Sequence, residues 1–204
     1  CLNNGKGEFT QTLKFGSKDD STIDVDVADI NKDGHKDLIL ANRDGEQNYI
    51  YLNDGKLNFS EKIPFGSGAD GTRSVGVIDI DNDGHLDIIT ANIGEPNVIY
   101  FGNGKMDFSR KTVFDNSPGS SYSLDFGDID GNGSIDIVVA NSGEPNKVFL
   151  NFDKGASWTE IMLRDEKQST YDIILADLNN DKRLDIIESN SDGINYFYRN
   201  TKKK

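Results

Sequence analysis

A nine-residue motif rich in Asp, Asn and Gly recurs four times in the chain at nearly constant spacing. The second copy, residues 79–87, reads DIDNDGHLD, and the four copies begin at residues 29, 79, 128 and 177. Oxygen atoms at positions 1, 3, 5 and 9 of such a loop can converge on one hard cation, and Gly at position 6 allows the sharp turn. One loop alone would be weak evidence, because the same residues crowd ordinary turns. Four in register predict up to four calcium sites.

The predicted ligands are the side chains at positions 1, 3, 5 and 9 and the backbone carbonyl at position 7, whose side chain is expected to face solvent. Loop by loop, these residues are Asp29, Asn31, Asp33, His35 and Asp37 in loop 1; Asp79, Asp81, Asp83, His85 and Asp87 in loop 2; Asp128, Asp130, Asn132, Ser134 and Asp136 in loop 3; and Asp177, Asn179, Asp181, Arg183 and Asp185 in loop 4. Lys182 stands where the other loops have Gly, and a left-handed backbone there costs about 1 kcal/mol. The weakest calcium affinity is therefore expected at loop 4, unless Glu188 at position 12 offsets it.

The segments that flank the loops predict strands rather than the helices of an EF-hand. Residues 23–27 and 38–40, which flank loop 1, are rich in β-branched and aliphatic side chains. An EF-hand usually has a bidentate Glu at position 12, where the first three loops have Leu40, Thr90 and Val139. Each ion is therefore expected in a strand-loop-strand hairpin. The competing interpretation is four Asx-rich turns without an ion.

A period of about 50 residues with four strand-like segments per unit is typical of propeller blades. In the second unit, strands are predicted at 74–78, 88–91, 97–101 and 106–114. The predicted fold class is therefore all-β, a β-propeller of four-stranded antiparallel blades. It forms one domain over residues 1–204, with repeats at about 1–50, 51–99, 100–148 and 149–200 and a tail at 201–204.

The first strand-like segment, residues 8–15, resembles the fourth strand of a blade, and the last unit has only three strands. We therefore expect the first strand to complete the last blade and close a four-bladed ring. The alternative is four blades cut from a larger ring. Cys1 either is a lipidated N-terminal Cys or occupies the ordinary repeat position of Tyr51.

Composition excludes some classes of partner. The formal charge of −13 argues against nucleic acid, and four Ca²⁺ ions would reduce it to about −5. No apolar run approaches the roughly 20 residues that span a bilayer, so no transmembrane segment is expected. A single Cys gives no disulfide framework, and the calcium loops are the better indication of an extracellular location.

The chain resembles the FG-GAP and VCBS repeats of integrin α chains and many secreted proteins. The resemblance rests on the four loops with their paired strands, as in residues 77–92, and on Phe15-Gly16 and Phe65-Gly66. The Gly-Ala-Pro element is absent and is replaced by pairs such as Ala91-Asn92, so the chain looks closer to the VCBS branch. The resemblance implies a calcium-stabilised extracellular propeller that serves cell adhesion, carbohydrate binding or scaffolding within a larger multidomain surface protein.

Catalytic signals are sparse, because neither His nor the single Cys has a partner typical of a nucleophile or a general base. We therefore predict a non-enzymatic module that binds a protein or glycan on the face opposite the calcium loops. The ligand-face candidates are Arg43, Arg73, Tyr122 and Tyr171. The alternative is a fragment of a propeller polysaccharide lyase or another carbohydrate-active enzyme. Acidic residues of the innermost strands are expected to be solvated along a central channel, namely Asp24, Asp26, Asp125 and Asp172.

Overall fold

The computed structural model describes residues 2–117 and 119–201. The prediction of lipidation at Cys1 and the prediction of a tail beyond residue 201 fall on positions outside the described residues. Across the described part of the chain, no helix is long and apolar enough to cross a membrane. The regular elements are antiparallel strands.

These strands form a short hairpin followed by four successive antiparallel units, which we call blades 1 to 4; the last two units are joined in one seven-stranded sheet. The hairpin pairs β1 (Leu2–Asn3) with β2 (Phe9–Gln11). Blade 1 contains β3 (Thr22–Ala28), β4 (Asp37–Asn42), β5 (Glu46–Leu52) and β6 (Glu61–Asp70); blade 2 contains β7 (Thr72–Ile78), β8 (Asp87–Asn92), β9 (Asn97–Tyr100) and β10 (Lys111–Asp115); blade 3 contains β11 (Ser121–Gly127), β12 (Asp136–Glu144), β13 (Lys147–Phe152) and β14 (Ser157–Met162); blade 4 contains β15 (Gln168–Ala176), β16 (Asp185–Asn190) and β17 (Tyr196–Tyr198). Consecutive strands within a blade are hydrogen-bonded neighbours.

The all-β, antiparallel blade architecture predicted from the repeats is confirmed. The first three strands of blade 2 lie within two residues of their predicted bounds, whereas β10 begins at Lys111 instead of residue 106. Met106 has a φ of 58°, and the side chain of Asn103 accepts a hydrogen bond from the backbone N–H of Lys105. The residues after β9 therefore form a longer turn than the sequence suggested.

The predicted closure of the ring by the first strand is wrong. Strand β2 pairs with β1, and among the described strands β17 pairs only with β16. The ring of Phe15 lies 6.4 Å from that of Tyr51 and 6.1 Å from that of Phe59. These contacts hold the residues after the hairpin against blade 1. The described blades therefore form an open arc, and Val25 and Ile174 on its end strands are 45% and 47% exposed.

The hydrophobic core consists of three clusters, one at each junction between successive blades. Each junction is also joined by a buried hydrogen bond from an Asn at the start of a third strand to the next blade. Asn48 donates to Thr72 at 2.9 Å, Asn97 donates to Ser121 at 2.9 Å, and Asn146 donates to Thr170 at 2.8 Å. Loss of such a partner by a buried side chain lowers the free energy of unfolding by about 1–3 kcal/mol, so these bonds fix how the blades pack together.

The acidic residues of the inner strands make bonds that the expectation of a solvated channel did not include. The carboxylate of Asp24 accepts from the N–H of Val75 at 2.9 Å, and that of Asp26 accepts from the N–H of Val77 at 2.7 Å. Asp125 accepts from Leu175 in the same way, and Asp172 accepts from the hydroxyl of Ser123. These carboxylates connect the inner strands of neighbouring blades, which do not pair directly with one another among the described residues.

Candidate functional site

All four loops adopt the same turn. The residues at positions 4 and 6 have positive φ in every loop: Lys32 and Gly34, Asn82 and Gly84, Gly131 and Gly133, and Asn180 and Lys182. This geometry directs backbone N–H groups at the carboxylate of position 1. In loop 2, Asp79 accepts from the N–H of Asp83 at 3.1 Å and of Gly84 at 2.9 Å. The sequence therefore folds each loop around its first Asp.

The Asp at position 9 connects each loop to the third strand of its own blade. Asp87 is fully buried and accepts from the N–H of Ile80 at 2.9 Å and from the N–H of Gly102 at 2.8 Å. Equivalent pairs of N–H groups reach Asp37, Asp136 and Asp185. Since backbone N–H groups hold these carboxylates, the carboxylates are positioned without a bound cation.

The arrangement provides oxygen donors within reach of one cation. In loop 2, Asp79, Asp81 and Asp87 each present a carboxylate oxygen within 4.8 Å of the others, and Asp128, Asp130 and Asp136 do the same in loop 3. Loops 1 and 4 have an Asn amide at position 3, which also offers an oxygen. Ca²⁺ prefers such all-oxygen sites at 2.3–2.6 Å, so the residues present fit this ion.

Burial and like charge oppose ionisation of the last Asp in loops 1, 2 and 3. Burial raises the pKa of Asp87 to about 7, and the charges of Asp81 and Asp83 act in the same direction. Burial also raises the pKa of Asp37 and of Asp136. A divalent ion among these groups would relieve both effects, because an adjacent opposite charge favours the ionised carboxylate.

The side chains at position 7 do not all face solvent as expected. The ring of His85 lies over Gly104, where an added Cβ would come within 2.4 Å of it, and its Nδ1 is buried without a hydrogen bond partner in the described residues. The ring of His35 lies over Gly55 in the same way, with 2.5 Å to an added Cβ, although His35 remains exposed. In these two blades, position 7 therefore packs against the turn that follows the third strand.

Loop 4 departs from the others in charge. The guanidinium of Arg183 forms an ion pair with Asp181, and its Nε donates to the carbonyl of Asn200 at 3.1 Å. Lys182 has a φ of 66° and thus adopts the left-handed backbone that its position requires. Glu188 is buried and accepts from the side chain of Asn146 at 2.7 Å, so it is packed at the junction with blade 3 and is not available to loop 4.

Two further contributors to the loops were missed by sequence reasoning. The amide of Asn151 donates to the carbonyl of Ile80 at 3.3 Å, and that of Asn200 donates to the carbonyl of Ile129 at 2.7 Å. Each therefore connects a loop to the next blade. The recurrence of Asn at residues 53, 151 and 200 was the available signal, although blade 2 has Gly102 at that place. Arg110, which pairs with Asp81, gave no such signal.

The ligand-face candidates lie together at the ends of the inner strands that are opposite the acidic loops. The rings of Tyr122 and Tyr171 lie 4.6 Å apart, and the guanidinium of Arg73 lies 5.7 Å from the ring of Tyr122. Asp44 lies 3.8 Å from Arg73 and 3.4 Å from the Nε of Arg43. We call Arg73, Tyr122 and Tyr171 the aromatic row. The Nε of Arg73 is buried without a hydrogen bond partner among the described residues.

Antiparallel blades that meet at their inner strands, with one acidic loop in each blade, are typical of a β-propeller built from sequence repeats. The FG-GAP-like repeat model matches residues 29–90, 79–139 and 128–188. The chain therefore belongs to the FG-GAP-like repeat family. No curated protein matches it.

Solved structures support the fold. A crystal structure of BBS1N in complex with ARL6DN has a TM-score of 0.61 at 16% identity, over 88% of this chain and 54% of that chain. A lectin from Agrocybe aegerita, described as recognising non-reducing terminal N-acetylglucosamine, has a TM-score of 0.61 at 24% identity, over 92% of this chain and 54% of that chain. This chain thus spans about half the length of these two structures.

Proposed function

We propose that this chain is a calcium-stabilised recognition module, without enzymatic activity, that binds a glycan or protein ligand on the face opposite the loops. The observation that carries the proposal is the aromatic row. It places two tyrosine rings and one guanidinium side by side on three successive blades. The ligand surface is therefore shared between blades, and its geometry depends on how the blades pack.

The chemistry of the aromatic row suits a sugar better than a purely apolar ligand. Tyr171 is 50% exposed, so its ring offers both an apolar face and a hydroxyl. Arg73 has 17% of its side chain exposed, and its guanidinium adds a positive charge beside Tyr122. Sugars present apolar ring faces and acceptor hydroxyls together, and both can be satisfied here.

Calcium has a structural role in this proposal. The four loops lie at one end of the inner strands and the aromatic row lies at the other, about 20 Å away for a strand of this length. An ion in each loop would hold a strand pair and its junction without contacting the ligand. The ion chemistry also favours an extracellular location, where calcium is abundant enough to fill weak sites.

The similar structures support a binding role by analogy alone. The lectin is described as recognising a sugar, and BBS1N is described in complex with another protein. Both ligand classes therefore remain within the proposal. The aromatic row favours the glycan as the first ligand to test.

A glycan array with purified protein tests the proposal. Tyr171→Ala should weaken glycan binding about tenfold, because an aromatic contact contributes about 1 kcal/mol or more. Phe197→Ala is the matched control, since Phe197 is 64% exposed but lies outside the aromatic row. Chelation should abolish binding together with the folded signal.

Three outcomes would contradict parts of the proposal. Equal binding by both variants would remove the aromatic row from the ligand site. Release of a shortened glycan product would replace the binding role with that of a carbohydrate-active enzyme. Full binding after complete calcium removal, with an unchanged melting temperature, would contradict the structural role of calcium.

A further inference from the structure

Arg73, the arginine of the aromatic row, has a guanidinium without a close protein acceptor. Its side chain is 17% exposed, its Nε is buried without a hydrogen bond partner, and neither terminal nitrogen forms a hydrogen bond among the described residues. The carboxylate of Asp44, its ion-pair partner, lies 3.8 Å from a terminal nitrogen, which is too long for a hydrogen bond. A charge removed from water normally has hydrogen-bonded partners. The terminal nitrogens of Arg73 therefore keep donors that a ligand can use.

The comparison with other arginines shows that this arrangement is particular to Arg73. Among the arginines with ion pairs in the described residues, Arg164 and Arg183 are the next least exposed, with 26% and 27% of the side chain accessible. Both make close charge-assisted hydrogen bonds, with Glu166 and Asp181. Arg73 is thus the most buried of this group and lacks the contact that the other two make.

The neighbouring ring compensates the charge of Arg73 only weakly. The guanidinium lies 5.7 Å from the ring centroid of Tyr122, near the limit of about 6 Å for a cation–π contact. The ring of Tyr122 in turn lies 4.6 Å from that of Tyr171. A short oligosaccharide along the aromatic row can therefore contact an exposed ring and the guanidinium at the same time.

We propose that the ligand of the aromatic row is an acidic glycan, whose sugar ring packs against Tyr171 and whose carboxylate binds the guanidinium of Arg73. This inference rests on the proposed function, because it names the class of sugar for the same site. A planar guanidinium matches a carboxylate through two parallel N–H···O bonds. The ligand would thus give Arg73 the close partner that Asp44 does not provide.

Asp44 is the acidic residue that competes directly with such a ligand. Its side chain is 57% exposed and lies 3.4 Å from the Nε of Arg43 as well as 3.8 Å from Arg73, so two positive charges share one carboxylate. Other carboxylates of the inner strands and of the turns between second and third strands contact donors or a cation of their own: Asp24 with Ser74 and Val75, Asp172 with Ser123, Glu95 with the backbone of Gly71, Glu144 with Lys167, and Asp192 with Ser191.

The overall charge of −13 opposes an acidic ligand only at long range. At physiological ionic strength, exposed charges more than about 8 Å apart are largely screened from each other. A direct contact with a largely buried guanidinium is screened much less. The local contact with Arg73 therefore outweighs the acidic character of the chain as a whole.

A matched pair of sugars provides the probe. A disaccharide with a terminal glucuronic acid and the methyl ester of the same disaccharide share their rings and hydroxyls, but only the first carries a negative charge. Both are titrated into the intact protein at a fixed calcium concentration. The acid should bind about tenfold or more tightly than the ester, because charge-assisted hydrogen bonds to Arg73 are available to the acid alone.

Arg73→Gln should remove this preference by weakening binding of the acid about tenfold or more, while binding of the ester changes little. Lys18→Gln is the matched control, since it removes one positive charge from a side chain that is 91% exposed. This control should leave both affinities unchanged. Similar melting temperatures of the two variants would exclude an unfolding artefact.

Asp44→Asn tests the same contact in the opposite direction and changes an exposed side chain. Removal of the competing carboxylate should raise the affinity for the acid about threefold and leave that for the ester unchanged. An equal change for both sugars would overturn the assignment of the carboxylate to Arg73.

The outcomes separate this inference from the proposed function. Preference for the acid that is lost in Arg73→Gln and increased in Asp44→Asn supports the inference. Equal binding of acid and ester, or a preference that persists in Arg73→Gln, overturns it, while the proposed function stands if Tyr171→Ala still weakens glycan binding. Absence of binding to every glycan of the array, acidic or neutral, overturns the glycan-binding function and this inference together.

Discussion

Loops 2 and 4 have the same backbone turn but differ in local charge. Residues 79–87 carry four Asp and no cation, a formal charge of −4, whereas residues 177–185 carry three Asp, Lys182 and Arg183, a formal charge of −1. Both loops direct two backbone N–H groups at their first Asp and bury their last Asp against two more. Backbone hydrogen bonding, rather than charge, therefore defines the turn.

The negative charge of the two loops is also compensated in different ways. In loop 2 the ion-pair partner is Arg110, which comes from outside the loop and pairs with Asp81 at 2.5 Å, and Lys32 of loop 1 donates to the carbonyl of Gly84. In loop 4 the partner is Arg183, which lies within the loop and pairs with Asp181. An internal guanidinium supplies part of the compensation that an ion would give. The comparison therefore predicts that calcium stabilises loop 2 more than loop 4.

The largest effect is expected when the last Asp of each loop is removed in the presence of calcium. Asp87→Ala and Asp185→Ala each remove a carboxylate that accepts two backbone N–H groups. Asp87→Ala should also lose the stabilisation from bound calcium, about 2.7 kcal/mol at a concentration of 100 times Kd. Urea unfolding with and without EDTA measures both variants.

The chelated samples serve as the internal control for this comparison. Without calcium, the two variants should lose similar free energy of unfolding, since each leaves an equivalent pair of N–H groups without an acceptor. A difference between them that persists in EDTA would show that local packing, rather than the ion, distinguishes the loops.

A smaller effect is expected when loop 4 is made to resemble loop 2. Lys182→Gly combined with Arg183→Ser removes two positive charges and the left-handed backbone strain at position 6, which costs about 1 kcal/mol. Calcium affinity at loop 4 should therefore rise about fivefold or more. Isothermal titration with calcium measures this change.

Lys154→Gly is the matched control for the double substitution. Lys154 has a φ of 56° in a turn outside the calcium loops, so its replacement relieves comparable strain. It should raise stability without altering calcium affinity. An equal gain in affinity from this control would attribute the result to general stabilisation.

The smallest effect is expected at Arg110. Arg110→Gln removes the ion pair with Asp81. Because the Arg110 side chain is 59% exposed, this ion pair contributes about 0–1 kcal/mol to the free energy of unfolding. Calcium affinity at loop 2 should rise slightly because the competing cation is gone, while the calcium-free protein should melt a little earlier. Lower calcium affinity in this variant would instead make Arg110 a support for the bound state.

Particular residues show where sequence reasoning succeeded. Asp, Asn and Gly in the loops predicted the turns, and the β-branched and aliphatic residues beside them predicted the flanking strands, because both are local consequences of residue type over a few positions. Positive φ at position 6 was predicted from Gly34, Gly84 and Gly133, and Lys182 follows them despite its side chain. The repeat spacing likewise predicted the blades, since each unit contains its own four segments.

Other residues were assigned wrongly because their partners lie in another blade. Asp24 and Asp26 looked like solvated channel residues, yet they accept hydrogen bonds from residues about 50 positions away. No local pattern distinguishes such a carboxylate from one that faces water.

The sequence by itself determined the loops, the strands and the order of the blades, because each depends on residues that are neighbours along the chain. Only the tertiary structure decided that the arc is open and that the aromatic row forms across three blades. These features depend on how the blades face one another. That packing arises from contacts between segments far apart in the chain, such as those of the Phe15 ring with Tyr51 and Phe59.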